Sequence, residues 1–163
     1  MAIRQGWIAG LALGSLLPAA GALASPPEKD APKTPTYHCV GFDEPIRSGM
    51  RVAKGRVLPL RAKLQTEEGG FADATTLKSP PQVRVHFVPE GGAETDRTGQ
   101  IDVRDYGKGT SFVWDAEAHW KFDLGTLKFE QEGKYRAFLI PGDEAEYKVE
   151  PTCEVVFLLG GGR

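Results

Sequence analysis

The sequence has little of what marks several common functional classes. Two cysteines among 163 residues are too few for a disulfide-rich scaffold or a four-ligand zinc site. Twenty Lys and Arg face 22 Asp and Glu, for a formal net charge of -2, and the missing basic excess argues against a nucleic-acid-binding protein. After residue 24 there is no apolar run long enough to span a membrane. The length and composition that remain are those of one globular domain.

Helical periodicity is also missing after residue 24, whereas the spacing of apolar residues typical of strands is common. In Val57–Leu64 apolar side chains alternate with Arg61 and Lys63, which predicts a strand with one buried and one solvated face. Pro59 indicates an edge or a locally unpaired position there. With 20 glycines and 12 prolines to make turns, we predict an all-β, antiparallel β-sandwich of about seven to nine short strands.

The first residues have the layout of an export signal. In residues 1–24 the single charge of Arg4 precedes an apolar run that ends in Ala22-Leu23-Ala24, which predicts a secretory signal peptide cleaved after Ala24. The alternative, a membrane anchor, is disfavoured by Pro18 and by the shortness of the uninterrupted apolar core. We therefore expect an exported protein, periplasmic or extracellular, with no membrane span in its mature chain.

The remaining boundaries follow from composition. Residues 25–36 contain four prolines and are predicted to be an extended tether. Residues 37–159 are predicted to form the sandwich, and the glycine-rich residues 160–163 a flexible tail.

Two details bear on how such a sandwich would be held together. Cys39 is predicted to lie in the first strand and Cys153 in the last, and an oxidising compartment favours a disulfide between them, 114 residues apart. The alternative is a pair of free buried thiols. Tyr135 follows Glu132-Gly133-Lys134 at the start of a late strand, where it resembles the corner tyrosine of immunoglobulin-like domains. The alternative is an ordinary strand tyrosine.

A series of short motifs resembles one known family. Tyr37–Phe42 followed by Pro45 is similar to the opening of the PxKF domain. The later matching segments are Ala53-Lys54-Gly55, Val57–Leu64, Phe112–Asp115, Trp120-Lys121-Phe122 and Gly133-Lys134-Tyr135. In the strand that names the family Pro59 matches, Arg61 replaces lysine and Ala62 replaces phenylalanine. The resemblance implies an immunoglobulin-like sandwich of secreted bacterial proteins, without enzymatic activity of its own.

The sequence offers two candidate binding features. A basic run without acidic residues follows Pro45, and it could hold an anionic glycan or line a solvated strand edge; it consists of Arg47, Arg51, Lys54, Arg56, Arg61 and Lys63. Trp114 and Trp120 stand on opposite arms of a predicted hairpin. They could form a carbohydrate platform, although packing in the core is the expected role of such large rings.

Catalytic, metal and cofactor sites are not expected. The chain has no G-x-S-x-G motif, and its three histidines, His38, His86 and His119, lie on separate segments without the short-spaced pair of a metal site. A metal carrier based on His38 would require Cys39 to be reduced. We expect a non-catalytic domain that acts in binding or structural support, with a cell-envelope protein or an anionic glycan as partner. A cell-surface glycan-binding module is the alternative, and the oligomeric state stays open.

Overall fold

The computed structural model describes residues 33–102 and 109–160, and within them the chain is almost entirely β-structure. One short 3-10 turn, Thr98–Gln100, is the helical element of this part of the chain. The described strands are β1 (Thr36–Phe42), β2 (Met50–Ala53), β3 (Val57–Gln65), β4 (Gln82–Val88), β5 (Thr95–Asp96), β6 (Val113–Trp114), β7 (Trp120–Gly125), β8 (Gly133–Ile140), β9 (Lys148–Val149) and β10 (Glu154–Gly160).

The strands form two five-stranded sheets, in the orders β6-β7-β3-β1-β9 and β2-β10-β8-β4-β5. Most neighbours are antiparallel, as the sequence predicted, but β1 pairs in parallel with β9 and β2 in parallel with β10. The predicted sandwich is therefore confirmed, and two of its edge strands pair in parallel. The described residues form ten strands, slightly more than the seven to nine expected. Three of them, β5, β6 and β9, have only two residues each and are too short to show an alternating pattern in the sequence.

The strand order confirms the immunoglobulin-like sandwich. In such domains strands A, B, E and D form one sheet, and G, F and C form the other. Here β1-β3-β7-β6 has the A-B-E-D order and β10-β8-β4 has the G-F-C order, with β5 continuing the second sheet beyond β4. The core lies between the sheets, and strict alternation along β3 buries Leu58, Leu60, Ala62 and Leu64.

Tyr135 occupies the corner position predicted from the sequence. Its ring is fully buried near the start of β8, stacked 4.8 Å from Phe129 and 5.6 Å from Phe157 between ring centroids. Its hydroxyl donates a hydrogen bond of 2.7 Å to the carbonyl oxygen of Gln131, four residues upstream. This bond ties the connection before β8 to the sandwich and confirms the corner assignment.

The predicted disulfide joins the two sheets of the sandwich. Cys39 of β1 is bonded to Cys153, which directly precedes β10 rather than lying inside it, with the two Cα atoms 5.2 Å apart. Because β1 and β10 belong to different sheets, the bridge is a cross-sheet link. The position two residues after the corner tyrosine, where immunoglobulin domains carry a cysteine, is here the buried Ala137.

The described strands extend slightly beyond the predicted domain. Thr36, assigned to the tether, begins β1, and Gly160, assigned to the tail, ends β10. The predicted signal peptide, residues 25–32 of the tether and residues 161–163 lie outside the described residues. Among the residues that are described, no helix has the length and apolar character needed to cross a membrane.

Candidate functional site

The fold divides the predicted basic run between the two sheets. Arg51 lies on β2 of one sheet, whereas Arg61 and Lys63 lie on β3 of the other. Arg61 and Lys63 share the outer face of β3, as the alternation predicted, because their neighbours Leu60 and Ala62 point into the core. A single continuous basic face is therefore not formed by the whole run.

The two cations on β3 have partners that the sequence did not reveal. Arg61 forms an ion pair with Glu117, which lies 56 positions later in the connection between β6 and β7. The ammonium nitrogen of Lys63 lies 5.5 Å from the centroid of the Phe71 ring, in a cation–π contact. These contacts occupy both side chains, which makes them weaker candidates for an external anion.

The other cations are more available. Arg51, Lys54 and Arg56 are exposed, and none of them forms an ion pair with a residue that the structure describes. Arg47 differs, because its guanidinium lies 3.2 Å from the Glu44 carboxylate. Three cations within six residues therefore project from β2 and the turn that follows it, and we call Arg51, Lys54 and Arg56 the basic turn.

Buried Thr126 holds the basic turn in place. Its hydroxyl donates a hydrogen bond of 2.8 Å to the carbonyl oxygen of Arg56 and accepts one of 3.0 Å from the Gly55 amide. The Thr126 amide also donates to the Arg56 carbonyl at 3.1 Å. Gly55 has a φ of +86°, a left-handed conformation that favours glycine. The turn is thus anchored at its backbone while Lys54 and Arg56 extend into solvent.

A shallow groove runs beside the basic turn. It has a volume of about 400 Å³ and lies between β2 and the beginning of β3. Its lining includes apolar Ile46, Val52 and Leu58 together with Arg51 and Arg56. The surface therefore combines apolar contact area with two cations, a combination suited to a ligand that has both apolar and anionic groups.

The two tryptophans lie side by side, as the hairpin predicted, but they are not equally accessible. Trp114 and Trp120 pair across β6 and β7, with ring centroids 5.2 Å apart in an edge-to-face contact. Trp120 is only 1% exposed, and its indole nitrogen donates a hydrogen bond of 2.8 Å to the Ala72 carbonyl. The expected core packing holds for Trp120, whose burial contradicts the alternative of a two-ring sugar platform, and the half-buried Trp114 packs against the core.

A cluster of ionisable side chains that the sequence analysis missed lies at the tip of the same hairpin. Asp115, Glu117 and His119 bring potential ligand atoms within 4.8 Å of one another. Asp43, from the connection between β1 and β2, adds a carboxylate oxygen 2.9 Å from Nε2 of His119. The D-x-E-x-H spacing was the available signal, but the contribution of Asp43 comes from 76 positions away and only the fold provides it.

The Asp115 carboxylate organises this tip. One of its oxygens accepts hydrogen bonds of 3.0 Å from the amides of Glu117 and His119. Ala118 adopts a φ of +62° between them, which is uncommon for a residue with a β-carbon. The tight turn places Glu117 and His119 next to the carboxylate that caps it.

The other histidines do not extend this cluster. His38 contacts the carbonyl oxygen of Glu150, and its neighbour Cys39 is in the disulfide, so the metal carrier that required a free thiol is contradicted.

His86 belongs to a separate ion-pair network on the second sheet. It contacts Glu94 at 3.0 Å, and Arg136 bridges Glu94 and Glu154. The hydrogen bond from His86 is the largest influence that holds the pKa of Glu94 below its ordinary value. This network holds the loop after β4 against β8 and β10.

Comparison with known proteins adds little. No family profile matches this sequence, and no curated protein matches it. Among solved structures, the chain is similar to the RIG-5 IG1 homodimer, with 10% identity and a TM-score of 0.35 over 76% of this chain and 97% of that one. It is also similar to the twitchin kinase region of C. elegans, with 14% identity and a TM-score of 0.28 over 78% of this chain. This second match spans only 16% of the twitchin chain. With scores this low, the fold assignment depends on the strand order above.

Proposed function

We propose that this protein is a non-catalytic immunoglobulin-like domain that acts by binding, and that the basic turn is its binding surface for an anionic glycan. The observation that carries the proposal is the contrast among the basic residues. Arg61 and Lys63 are already in contact with Glu117 and Phe71, whereas Arg51, Lys54 and Arg56 have no acidic partner among the described residues, and the turn that carries Lys54 and Arg56 is anchored. Export and membership of the PxKF family stay predictions from the sequence and are compatible with this role.

The anchoring by Thr126 supports binding rather than a plain solubility role. A cation on a fixed backbone loses less conformational freedom when it meets an anion than one on a mobile loop. The backbone at Gly55 and Arg56 is fixed by three hydrogen bonds to Thr126. Exposed Val57 and Leu127, at 53% and 45% exposure, lie next to this turn along the chain and in space. They provide the apolar contact that the faces of sugar rings require.

The test compares two charge reversals of equal size. Lys54→Glu with Arg56→Glu alters the basic turn, and Arg61→Glu with Lys63→Glu alters the two cations that already have partners. We expect the parent to be retained on immobilised dextran sulfate at low salt and released as salt is added, because exposed charges are screened over about 8 Å at physiological ionic strength. We expect the basic-turn variant to lose most of this retention and the control variant to keep most of it.

Two outcomes would contradict the proposal. If the parent runs through the dextran sulfate column as it does through uncharged dextran, the basic turn binds no anionic glycan of this kind. If the two variants lose retention equally, net charge rather than the anchored turn governs binding. Circular dichroism of each variant establishes that the β-fold is intact before the columns are compared.

A further inference from the structure

The hairpin tip between β6 and β7 contains a mixed set of donors of the type that transition-metal sites use. Asp115 and Glu117 offer carboxylate oxygens and His119 offers an imidazole nitrogen, all within 4.8 Å of one another. Imidazole suits Zn²⁺ and its neighbours in the first transition series, whereas Ca²⁺ and Mg²⁺ prefer oxygen alone. The composition of the cluster therefore favours a cation of the zinc class.

The contact with Asp43 determines which nitrogen of His119 is free. The Asp43 carboxylate can only accept a hydrogen bond when it is ionised, so the proton of a neutral imidazole lies on Nε2, 2.9 Å from the Asp43 oxygen. The lone pair is then on Nδ1. A histidine that donates one ring N–H to a carboxylate while its other nitrogen binds metal is a recurrent arrangement at zinc sites.

The Nδ1 atom itself is an unexplained buried acceptor. It is shielded from solvent and has no hydrogen-bond partner among the described residues. The nearest carboxylate oxygen, Oδ1 of Asp115, is 3.8 Å away, too far for a hydrogen bond. Two ligand atoms bound to one tetrahedral zinc ion by bonds of about 2.0–2.2 Å lie roughly 3.3–3.6 Å apart. The observed separation is slightly longer, so a small rotation of either side chain would bring both atoms onto one ion.

Arg61 is a competing cation in contact with this cluster. Its guanidinium pairs with Oε2 of Glu117, which is 66% exposed and has a second carboxylate oxygen to offer. Three carboxylates, those of Asp43, Asp115 and Glu117, thus lie around the imidazole, and Arg61 offsets one of them. This local negative charge, beside a ring nitrogen without a hydrogen-bond partner among the described residues, is what a bound divalent cation would neutralise.

From this geometry we propose that Asp115, Glu117 and His119 form a binding site for a divalent transition cation such as Zn²⁺, with Asp43 as the positioning residue that fixes the imidazole. Three protein ligands leave a fourth position of a tetrahedral ion open to water or to a group of a bound partner. The site is separate from the basic turn, and the proposal does not depend on glycan binding.

The experiment is a titration of the full chain with Zn²⁺ after treatment with a chelator, followed by calorimetry, and a parallel titration with Co²⁺ followed by visible absorption. We expect calorimetry to show one Zn²⁺ ion bound per chain. We expect bound Co²⁺ to give the intense visible d–d absorption of a four- or five-coordinate ion. His119→Gln and Glu117→Gln should each abolish or strongly weaken binding. Asp43→Asn should weaken it by about 10–100-fold, as loss of such a second partner of a ligand does.

Two further variants sharpen the test. Arg61→Gln should tighten Zn²⁺ binding, because it removes the cation that competes for Glu117, whereas a merely structural role of the cluster predicts no such gain. His38→Gln, which alters an imidazole on β1 away from the cluster, should leave binding unchanged. Absence of Zn²⁺ binding by the parent, or binding that survives His119→Gln, would overturn the proposal. Glu117 is exposed, so its variant keeps the test valid if His119→Gln fails to fold.

Discussion

Replacement of Trp120 should cost more stability than replacement of Trp114, although the two rings touch. Trp120 is 1% exposed, and its indole nitrogen satisfies the Ala72 carbonyl at 2.8 Å. Trp114 is half-buried at the edge of the same sheet and packs on the core from outside it. The sequence pattern predicts the same role for both tryptophans, so a difference in the stability lost on replacing each of them directly tests the fold.

The expected magnitudes follow from these contacts. Trp120→Ala should lower the free energy of unfolding by about 3–5 kcal/mol, through lost burial and the cavity that remains. Trp120→Phe keeps much of the ring volume but leaves the Ala72 carbonyl without its donor, at a cost of about 1–3 kcal/mol. Trp114→Ala should cost roughly half as much as Trp120→Ala, because much less of the ring leaves a buried environment. The edge-to-face pair should add a coupling of about 0.5–1.5 kcal/mol.

Urea unfolding of the parent, the two alanine variants and the double variant measures all these values. Each single variant keeps one tryptophan in the sandwich as a fluorescent probe, and circular dichroism follows the double variant. The denaturant slope should not change, so that shifts in midpoint report stability. If Trp114→Ala costs as much as Trp120→Ala, or if Trp120→Ala costs less than about 1 kcal/mol, the core assignment of Trp120 is refuted.

Two further predictions concern Tyr147 and the disulfide. Burial is the main cause that raises the pKa of Tyr147 from 10.0 to about 12. Because the pKa is higher in the folded protein, the protonated phenol stabilises the fold fully below pH 10, and this contribution is lost as the pH rises from 10 to about 12. Phenolate absorbance and alkaline unfolding should show this loss of stability. Tyr147→Phe, which also leaves the Ser79 carbonyl without its donor, should abolish this pH dependence. If the alkaline unfolding profile of the variant equals that of the parent, the raised pKa of Tyr147 is contradicted. Cys39→Ala with Cys153→Ala should lower the free energy of unfolding by about 4–5 kcal/mol, the chain-entropy value for a loop of 114 residues. Urea unfolding of the variant and the parent measures this difference, and a difference near zero would contradict a stabilising role of the disulfide.

Much of the fold could be predicted because its signals are local. Alternation along Val57–Leu64 predicted both the buried face of β3 and the shared outer face of Arg61 and Lys63. The corner role of Tyr135 was predicted from its place at the start of a strand after Gly133. Such patterns repeat every two residues and need no knowledge of distant partners.

The parts that failed depend on contacts between distant segments. Nothing near Arg61 in the sequence indicates that Glu117, 56 positions later, will form an ion pair with it. The parallel pairing of β1 with β9 and of β2 with β10 depends on where edge strands come to lie, which alternation does not encode. Trp114 and Trp120 have the same local pattern, and only their places at the edge and in the interior of the sheet separate them.

The hairpin cluster shows most clearly why a candidate site can escape sequence reasoning. Cys39 points into the core, so a regular strand would also turn residues 41 and 43 inward. A bulge between Cys39 and Phe42 shifts the register against β3, and Phe42 packs inward instead. This shift turns Asp43 to the outer face, where it meets His119, which precedes the inward Trp120. Bulges recur beside functional sites because they redirect one side chain without changing the fold. Gly41, which lies within this bulge, has a φ of +123°. The site therefore depends on a one-residue irregularity that reverses the expected face of Asp43.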